Sequence, residues 1–203
     1  MARYRYIVGV DEAGRGPLAG PVAVGVVMTP ADFDWSLVEN VRDSKKLSEK
    51  MREKIYESAR ELESRAFLRF AVSTSSAAYI DKYGIVSAIR RALAEALARL
   101  EVAPNECRIL LDGSLRAPAE YIHQETIIRG DESEPVISLA SIMAKVTRDR
   151  LMKRLSPKYP AFNFETHKGY GTALHMSAIA RYGLSDMHRA TFCSRLHIGP
   201  RSV

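Results

Sequence analysis

Tyr6-Ile7-Val8-Gly9-Val10-Asp11-Glu12-Ala13-Gly14-Arg15-Gly16-Pro17 is the stretch from which the fold is read. Residues 6–10 have the apolar character and length of a buried strand, stopped by an Asp-Glu pair and a glycine-rich turn. Residues 22–28 read as a second strand ended by Thr29-Pro30. Gly14-x-Gly16-x-x-Ala19 formally matches a dinucleotide fingerprint, which would imply an oxidoreductase. That motif must open a helix whose N-terminus holds pyrophosphate, whereas Pro21 and the apolar run after it continue as β. Two carboxylates would also confront the pyrophosphate.

Working outward, residues 31–42 read as polar loop. Leu47, Met51, Ile55, Ala59 and Leu62 recur at helical spacing, which predicts a helix from Ser44 to about Ser64. Residues 67–72 alternate like a strand. Ile85, Ala88, Ile89, Ala92, Leu93 and Ala96 open the cleanest amphipathic pattern in the chain, carried on to Leu100. A short apolar run at 108–111 ends at Asp112-Gly113, and residues 121–128 suit a further strand. Pro135 can occupy the first turn of a helix reaching about Leu155. Thr172 is a candidate N-cap for a helix through Tyr182, closed by Gly183. The profile is that of an α/β protein: one domain over residues 1–203, with a helical C-terminal portion from about 150.

A chain of 203 residues, 46% hydrophobic, is long enough to bury one sizeable core. Thirty Lys and Arg against 24 Asp and Glu give a formal charge of +6, compatible with a polyanionic partner. Cys107 and Cys193 are far apart, without the neighbouring Cys or His that zinc sites use. No signal-peptide core or apolar run of about 20 residues occurs, so the expectation is a cytoplasmic protein that engages no membrane.

Adjacent carboxylates beside a buried strand repel and desolvate badly unless a cation or hydrogen bonds compensate, and Asp11-Glu12 is such a pair. Adjacent residues of a regular strand face opposite ways, so for both to reach one site the backbone must leave regular geometry, which glycines permit. Asp112 ends a second apolar run, and Asp131 precedes the Pro135 helix and can approach from a loop. An all-oxygen cluster of this kind suits Mg²⁺ or Mn²⁺ better than zinc. Taken singly, Asp112 and Asp131 read better as solvated turn residues.

Together, Gly9-Val10-Asp11-Glu12-Ala13-Gly14-Arg15-Gly16-Pro17 and Asp43-Ser44-Lys45-Lys46-Leu47 resemble the opening of ribonuclease HII, the type 2 ribonuclease H family. Leu111-Asp112-Gly113, Gly130-Asp131, the run Ala140 to Asp149 and His167-Lys168-Gly169-Tyr170-Gly171-Thr172 follow in the same order. The resemblance implies a ribonuclease H-like fold, a central mixed sheet flanked by helices with a helical C-terminal part. It further implies an endonuclease that hydrolyses the RNA strand of RNA/DNA hybrids and cuts 5′ of ribonucleotides embedded in duplex DNA. Two divalent ions, Mg²⁺ or Mn²⁺, would be held by Asp11, Glu12, Asp112 and Asp131, and the products would carry 5′-phosphate and 3′-hydroxyl ends.

By the same resemblance, Gly14, Arg15 and Gly16 approach the ribose 2′-hydroxyl through their backbone and Tyr170 packs on that sugar. Ser44 and Lys45 contact a backbone phosphate. Tyr170 alone also suits a half-buried tyrosine with a satisfied hydroxyl. Asp149, in the long helix, is assigned to pairing with Lys145 or Lys153 at four-residue spacing rather than to metal. Two stretches depart from the family pattern: Ser138-Leu139-Ala140 replaces a small-residue run, and His188-Arg189-Ala190-Thr191-Phe192 keeps the usual His-Arg ending loosely. No additional N-terminal binding domain, as in the type 3 relatives, and no clamp-docking tail is read, and a monomer is expected. The rival from another class is a non-catalytic nucleic-acid-binding module on the same fold.

Overall fold

The computed structural model describes residues 4–38, 41, 47–196 and 198; Ser44 and Lys45 fall outside them. Five strands form one sheet in the order β3-β2-β1-β4-β5. They are β1 (Tyr6–Ala13), β2 (Val22–Pro30), β3 (Arg69–Ser75), β4 (Cys107–Asp112) and β5 (Gln124–Ile127). The β1-β2 and β2-β3 pairings are antiparallel, while β4 runs parallel to both β1 and β5, so the sheet is mixed. The segment after the glycine turn is therefore a strand, and the dinucleotide reading is excluded.

Eight α-helices among the described residues surround the sheet: α1 (Glu49–Ser64), α2 (Ala77–Tyr83), α3 (Ile85–Leu100), α4 (Gly130–Ser133), α5 (Pro135–Leu155), α6 (Phe164–His167), α7 (Ala173–Tyr182) and α8 (Ala190–Cys193). Both faces of the central strands are covered, which is why β1 and β2 read as nearly continuous apolar runs. On one face Val8, Val10, Val24 and Val26 meet the apolar stripe of α3. On the other, Val27 and Leu110 pack against α5 and α1.

The α5 face is unusually close. A Cβ on Gly9 would lie 2.3 Å from the Val136 carbonyl oxygen, and one on Gly25 would lie 2.3 Å from that of Ala140. These two glycines let the backbone of α5 lie directly on β1 and β2. Ser138, one of the departures from the family pattern, is buried in this helix and its hydroxyl donates to the Val41 carbonyl.

Several boundaries differ from expectation. β1 does not stop at Val10 but runs to Ala13, because it keeps its antiparallel partner β2 after losing its parallel partner β4. The first helix starts at Glu49, where the Ser48 hydroxyl accepts from the Met51 N–H at 3.2 Å. β3 is displaced to Arg69–Ser75, and β5 keeps only four residues of the longer strand expected. α2 has no counterpart in the sequence reading. Thr172 and Gly183 do bound α7, Pro135 does open α5, and Asp149 pairs with Lys145 at 2.8 Å rather than with Lys153, which binds Glu49.

A third apolar cluster joins the turn after β1 to the C-terminal helices. Ala19 packs there with Met152, Phe162, Phe164, Ile179 and Cys193. The C-terminal portion is thus built onto the loop that carries the glycines.

Candidate active site

The carboxylates gather where β1 outruns β4. Pairing between these parallel strands ends at Val10 and Leu111, whereas Asp11 still pairs with Gly25 of β2. Alternation puts Asp11 on the same side as Gly9, toward α5, and the close packing of α5 brings Ser141 into hydrogen bond with the Asp11 carboxylate. The Glu12 N–H also donates to Asp11 Oδ1, at 2.7 Å. Burial pushes the Asp11 carboxyl up to about 8 against the Ser141 hydrogen bond, and the negative charges of Glu12 and Asp112 push it the same way.

Glu12 is also raised from the ordinary glutamate value, chiefly by burial, with Arg15 opposing through its Nη1–Oε1 contact at 3.0 Å. Asp112 closes β4, and its Oδ1 accepts from the Asp131 N–H at 3.4 Å. Asp131 sits inside α4, not in a loop ahead of the long helix, and is 1% exposed. Gly130 permits this: a Cβ there would meet Ile137 Cδ1 at 2.5 Å. The four acidic residues thus form a chain of neighbours around one end of the sheet. Burial first, and charge repulsion second, lift Asp11 and Glu12; a divalent cation relieves both, and an all-carboxylate donor set is the chemistry of Mg²⁺ or Mn²⁺. Among the described residues no three Asp, Glu, His or Cys side chains stand gathered as a formed metal cage.

Beside this cluster lies a cavity of about 370 Å³ whose lining includes Glu12, the Gly14-Arg15-Gly16 turn, Arg52, Ser141, Lys145 and Tyr170. The turn is shaped from beneath by two arginines, each fully buried and without a carboxylate partner among the described residues. Arg148 donates to the carbonyls of Pro21 (2.8 Å), Lys168 (3.0 Å) and Ala19 (3.1 Å). Arg189 donates to those of Gly14 (2.7 Å), Gly20 (2.9 Å) and Arg15 (3.0 Å). Burial lowers both guanidinium pKa values, that of Arg189 to about 9 with the charge of Arg148 adding. Hydrogen bonds from charged donors, about 1.5–3 kcal/mol each, offset that cost.

The geometry has a consequence for the amides. In a trans peptide the N–H points opposite to the C=O, and no cis bond occurs among the described residues. With the Gly14 and Arg15 carbonyls turned inward to Arg189, the N–H groups of Arg15 and Gly16 point away from the core. Gly14 itself has φ +89°, and a Cβ there would fall 2.0 Å from Arg148 Nε, so both conformation and space demand glycine.

Tyr170 is brought to this turn by the backbone beside it. The Leu18 N–H donates to the Gly169 carbonyl at 2.9 Å, and Gly169 lies against Ala19, where a Cβ would be 2.3 Å from oxygen. Tyr170 is 42% exposed, with Lys145 Nζ 5.7 Å and the Arg148 guanidinium carbon 5.9 Å from its ring centroid. Its carbonyl is held by a histidine pair whose tautomers follow from their partners. His175 Nδ1 lies 2.9 Å from the Tyr170 carbonyl and must donate there, so its Nε2 accepts. His188 Nδ1 accepts from the Ser185 N–H at 3.0 Å, so its Nε2 donates to His175 Nε2, 3.0 Å away. Burial first lowers both to about 4, which keeps the rings neutral, with His167 adding at His175 and His175 adding at His188.

Ser141, Arg148, Arg189 and the histidine pair were not read as site residues. Arg148 lies in the Ala140 to Asp149 run and Arg189 in the loosely kept His188 to Phe192 stretch, but nothing in a linear sequence marks an arginine as buried.

Residues 8–197 match the sequence profile of the family described as Ribonuclease HII. The chain belongs to the ribonuclease HII family. It is 46% identical to Ribonuclease HII of Ruminiclostridium cellulolyticum, over 93% of this chain and 70% of that protein, and 44% identical to Ribonuclease HII of Bacillus cytotoxicus, over 92% and 68%. Among solved structures, ribonuclease HII in its PCNA complex from Archaeoglobus fulgidus superposes with a TM-score of 0.72 at 27% identity, covering 90% of this chain and 93% of that one. The ribonuclease H2 of Pyrococcus horikoshii superposes at 0.73 with 24% identity, covering 95% and 97%, which shows the ribonuclease H-like fold. Family membership makes the chain a hydrolase, an endoribonuclease of the ribonuclease H class acting on RNA/DNA hybrids. No helix among the described residues is long and apolar enough to cross a membrane.

Proposed function

We propose that this chain cleaves RNA paired with DNA, and the DNA strand 5′ of an embedded ribonucleotide, at the carboxylate cluster Asp11, Glu12, Asp112 and Asp131. The observation that carries the reading is the buried Asp11, raised to about 8 beside Glu12 and Asp112, where Glu12 lines a cavity shared with the Gly14-Arg15-Gly16 turn and Tyr170. Such an arrangement is unfavourable for the protein alone and favourable once cations are bound. Mg²⁺ or Mn²⁺ ions, two during turnover, would supply the activation of water and the neutralisation of the leaving oxygen. A Bst-RNase HIII of the same fold has been solved in complex with Mn²⁺.

The protein's own residues then divide the work. Asp11 and Asp112, fixed by Ser141 and by the Asp131 N–H, hold the ions' side of the site; Glu12 is steadied by Arg15. The N–H groups of Arg15 and Gly16, turned out by Arg189, are donors for the ribose 2′-oxygen and the adjoining phosphate, and Tyr170 offers ring and hydroxyl to the same sugar. The 2′-hydroxyl is the group that separates RNA from DNA. Lys45 and Ser44 remain assigned to a backbone phosphate by resemblance, and Arg52 and Lys145 are further cations facing the cavity.

The test uses matched duplexes carrying one ribonucleotide, one 2′-deoxy or one 2′-fluoro nucleotide, incubated with Mg²⁺. Cutting is expected only at the ribonucleotide, on its 5′ side, leaving 5′-phosphate and 3′-hydroxyl ends. Tyr170→Ala should lower that cleavage far more than duplex binding. Equal cutting of all three duplexes by the wild-type protein removes hydroxyl readout, and absence of cutting with Mg²⁺ or Mn²⁺ favours a non-catalytic binding module.

A further inference from the structure

A second hollow adjoins Arg15. It encloses about 60 Å³ between Arg15, the α3 surface at Val86, Ile89 and Arg90, and the turn formed by residues 114–116. One water needs about 10–15 Å³ of such space, so there is room for a small oxyanion group. Arg90 lies four residues from Val86, on the same side of α3.

The opposite wall is fixed. The Gly113 N–H donates to the Ile127 carbonyl at 3.0 Å and the Leu115 N–H to that of Asp112 at 3.2 Å. The Leu115 side chain is buried in the core beneath α3, and the Ala117 N–H donates to Gln124 Oε1 at 2.9 Å. Arg116 therefore projects from an anchored turn immediately after Asp112.

No acidic side chain lines this hollow, although three guanidinium-bearing residues do. Elsewhere on the surface arginines pair with acids, Arg91 with Glu95 at 2.8 Å and Arg150 with Glu57 at 2.7 Å. Arg90 and Arg116 have no carboxylate partner among the described residues, and Arg15 has only Glu12. Three like charges facing a common space are relieved by an anion, and the planar guanidinium fork matches phosphate oxygens.

We propose that Arg90 and Arg116, together with Arg15, bind a backbone phosphate of the RNA/DNA duplex next to the cleavage point, on the far side of Arg15 from Tyr170. Arg15 lines both hollows, so a polyanion lying in the larger one passes it before reaching the smaller. This site rests on the proposed cleavage of hybrids at the acidic cluster.

The experiment is a scan of hybrids in which one phosphate at a time is replaced by a neutral methylphosphonate, with kcat/KM measured in Mg²⁺ for the wild type and for Arg90→Gln/Arg116→Gln. Both arginines are exposed and make no described hydrogen bond, so folding does not depend on them. In the wild type, one position flanking the cut should lose on the order of tenfold, as expected for a charged hydrogen-bonded contact. In the double variant the unmodified hybrid should already be slower, and neutralising that position should cost nothing further while other positions keep their penalties. The dependence of log kcat/KM on log salt should also become shallower by about 0.9, the value for one phosphate contact on a duplex. Identical scans in the two proteins would overturn the arginine site while leaving the cleavage reading intact. A wild type that cuts no hybrid would overturn both.

Discussion

Asp11 and Asp149 are both buried aspartates in family-matching motifs, and their surroundings assign them opposite roles. Asp149 has Lys145 Nζ at 2.8 Å, a cation supplied within one helix turn. Asp11 has a serine hydroxyl, one backbone N–H and two acidic neighbours, so its compensating charge must come from outside the chain. Replacing Asp112 with Asn should abolish Mg²⁺-dependent cleavage while hybrid binding persists, because charge is removed without changing shape. Asp149→Asn should keep at least about a tenth of wild-type turnover, the loss of a semi-buried ion pair being felt mainly in stability. Turnover and hybrid affinity, measured on both variants beside their melting midpoints, check this; a dead but folded Asp149→Asn would reverse the assignment.

The turn between β1 and β2 behaves as an element in its own right, although it has no regular secondary structure. Five hydrogen bonds from Arg148 and Arg189 fix its carbonyls, and with them the direction of its amides, while a sixth ties Arg148 to the Lys168 carbonyl. Arg189→Lys keeps a charge but not the fork, leaving at least one of the Gly14, Arg15 and Gly20 carbonyls without its donor. A loss of about 1–3 kcal/mol of stability is expected for each buried group so abandoned. Thermal unfolding measures that loss. Discrimination between a ribonucleotide and a 2′-deoxy site should fall in the same variant, because the Arg15 and Gly16 N–H groups lose their orientation. Unaltered discrimination in a folded Arg189→Lys protein would show that Arg189 supports the fold alone. Gly14→Ala should be worse for both readouts, since its Cβ meets Arg148 at 2.0 Å and its backbone sits at φ +89°.

At the scale of the whole molecule, the elements with strong periodicity were legible and those made by tertiary contact were not. The α3 stripe and the β1 and β2 runs announce themselves because burial on defined faces imposes a repeat. β1 continues through Asp11 and Glu12 because β2 pairs with them, which composition at those positions opposes. α2, α4 and α6 are too short to carry a periodic signal. The acidic residues were legible as motif members, and Asp131 was expected near them though not inside a helical turn. Ser141, Arg148, Arg189 and the His175–His188 pair escaped because their roles depend on packing between distant segments.

Stability as a function of pH follows from the same buried groups. Asp11 binds its proton more tightly when folded, about 8 against 3.8, so ionising it costs stability as pH rises toward 8. His175 and His188, at about 4 when folded, oppose protonation, so their contribution is complete above 6.5 and is lost as pH falls toward 4. Between pH 6.5 and 8 only the aspartate trend operates among these three, and the metal-free protein should lose about 2 kcal/mol. Mg²⁺ or Mn²⁺ should recover this at pH 8 more than at pH 6.5. In Asp11→Asn the decline above 6.5 should vanish and the fall below 6.5 should stand out. Thermal melts across pH 4–8, with and without the ions, read all of these; a metal-free midpoint that rises from 6.5 to 8 would contradict the burial of an ionising Asp11.

The hydrogen bonds from Arg189 to Gly14 and Arg15 span 175 and 174 positions of a 203-residue chain. The strand bearing the first carboxylates leaves the ribosome well before the residue that shapes the turn behind it. Long-range contacts of this kind close late, after the entropy of the intervening loop has been overcome. A nascent chain can pair β1 with β2 while its glycine turn is still unset, so the capacity to recognise a hybrid waits until Arg189 has emerged and folded back.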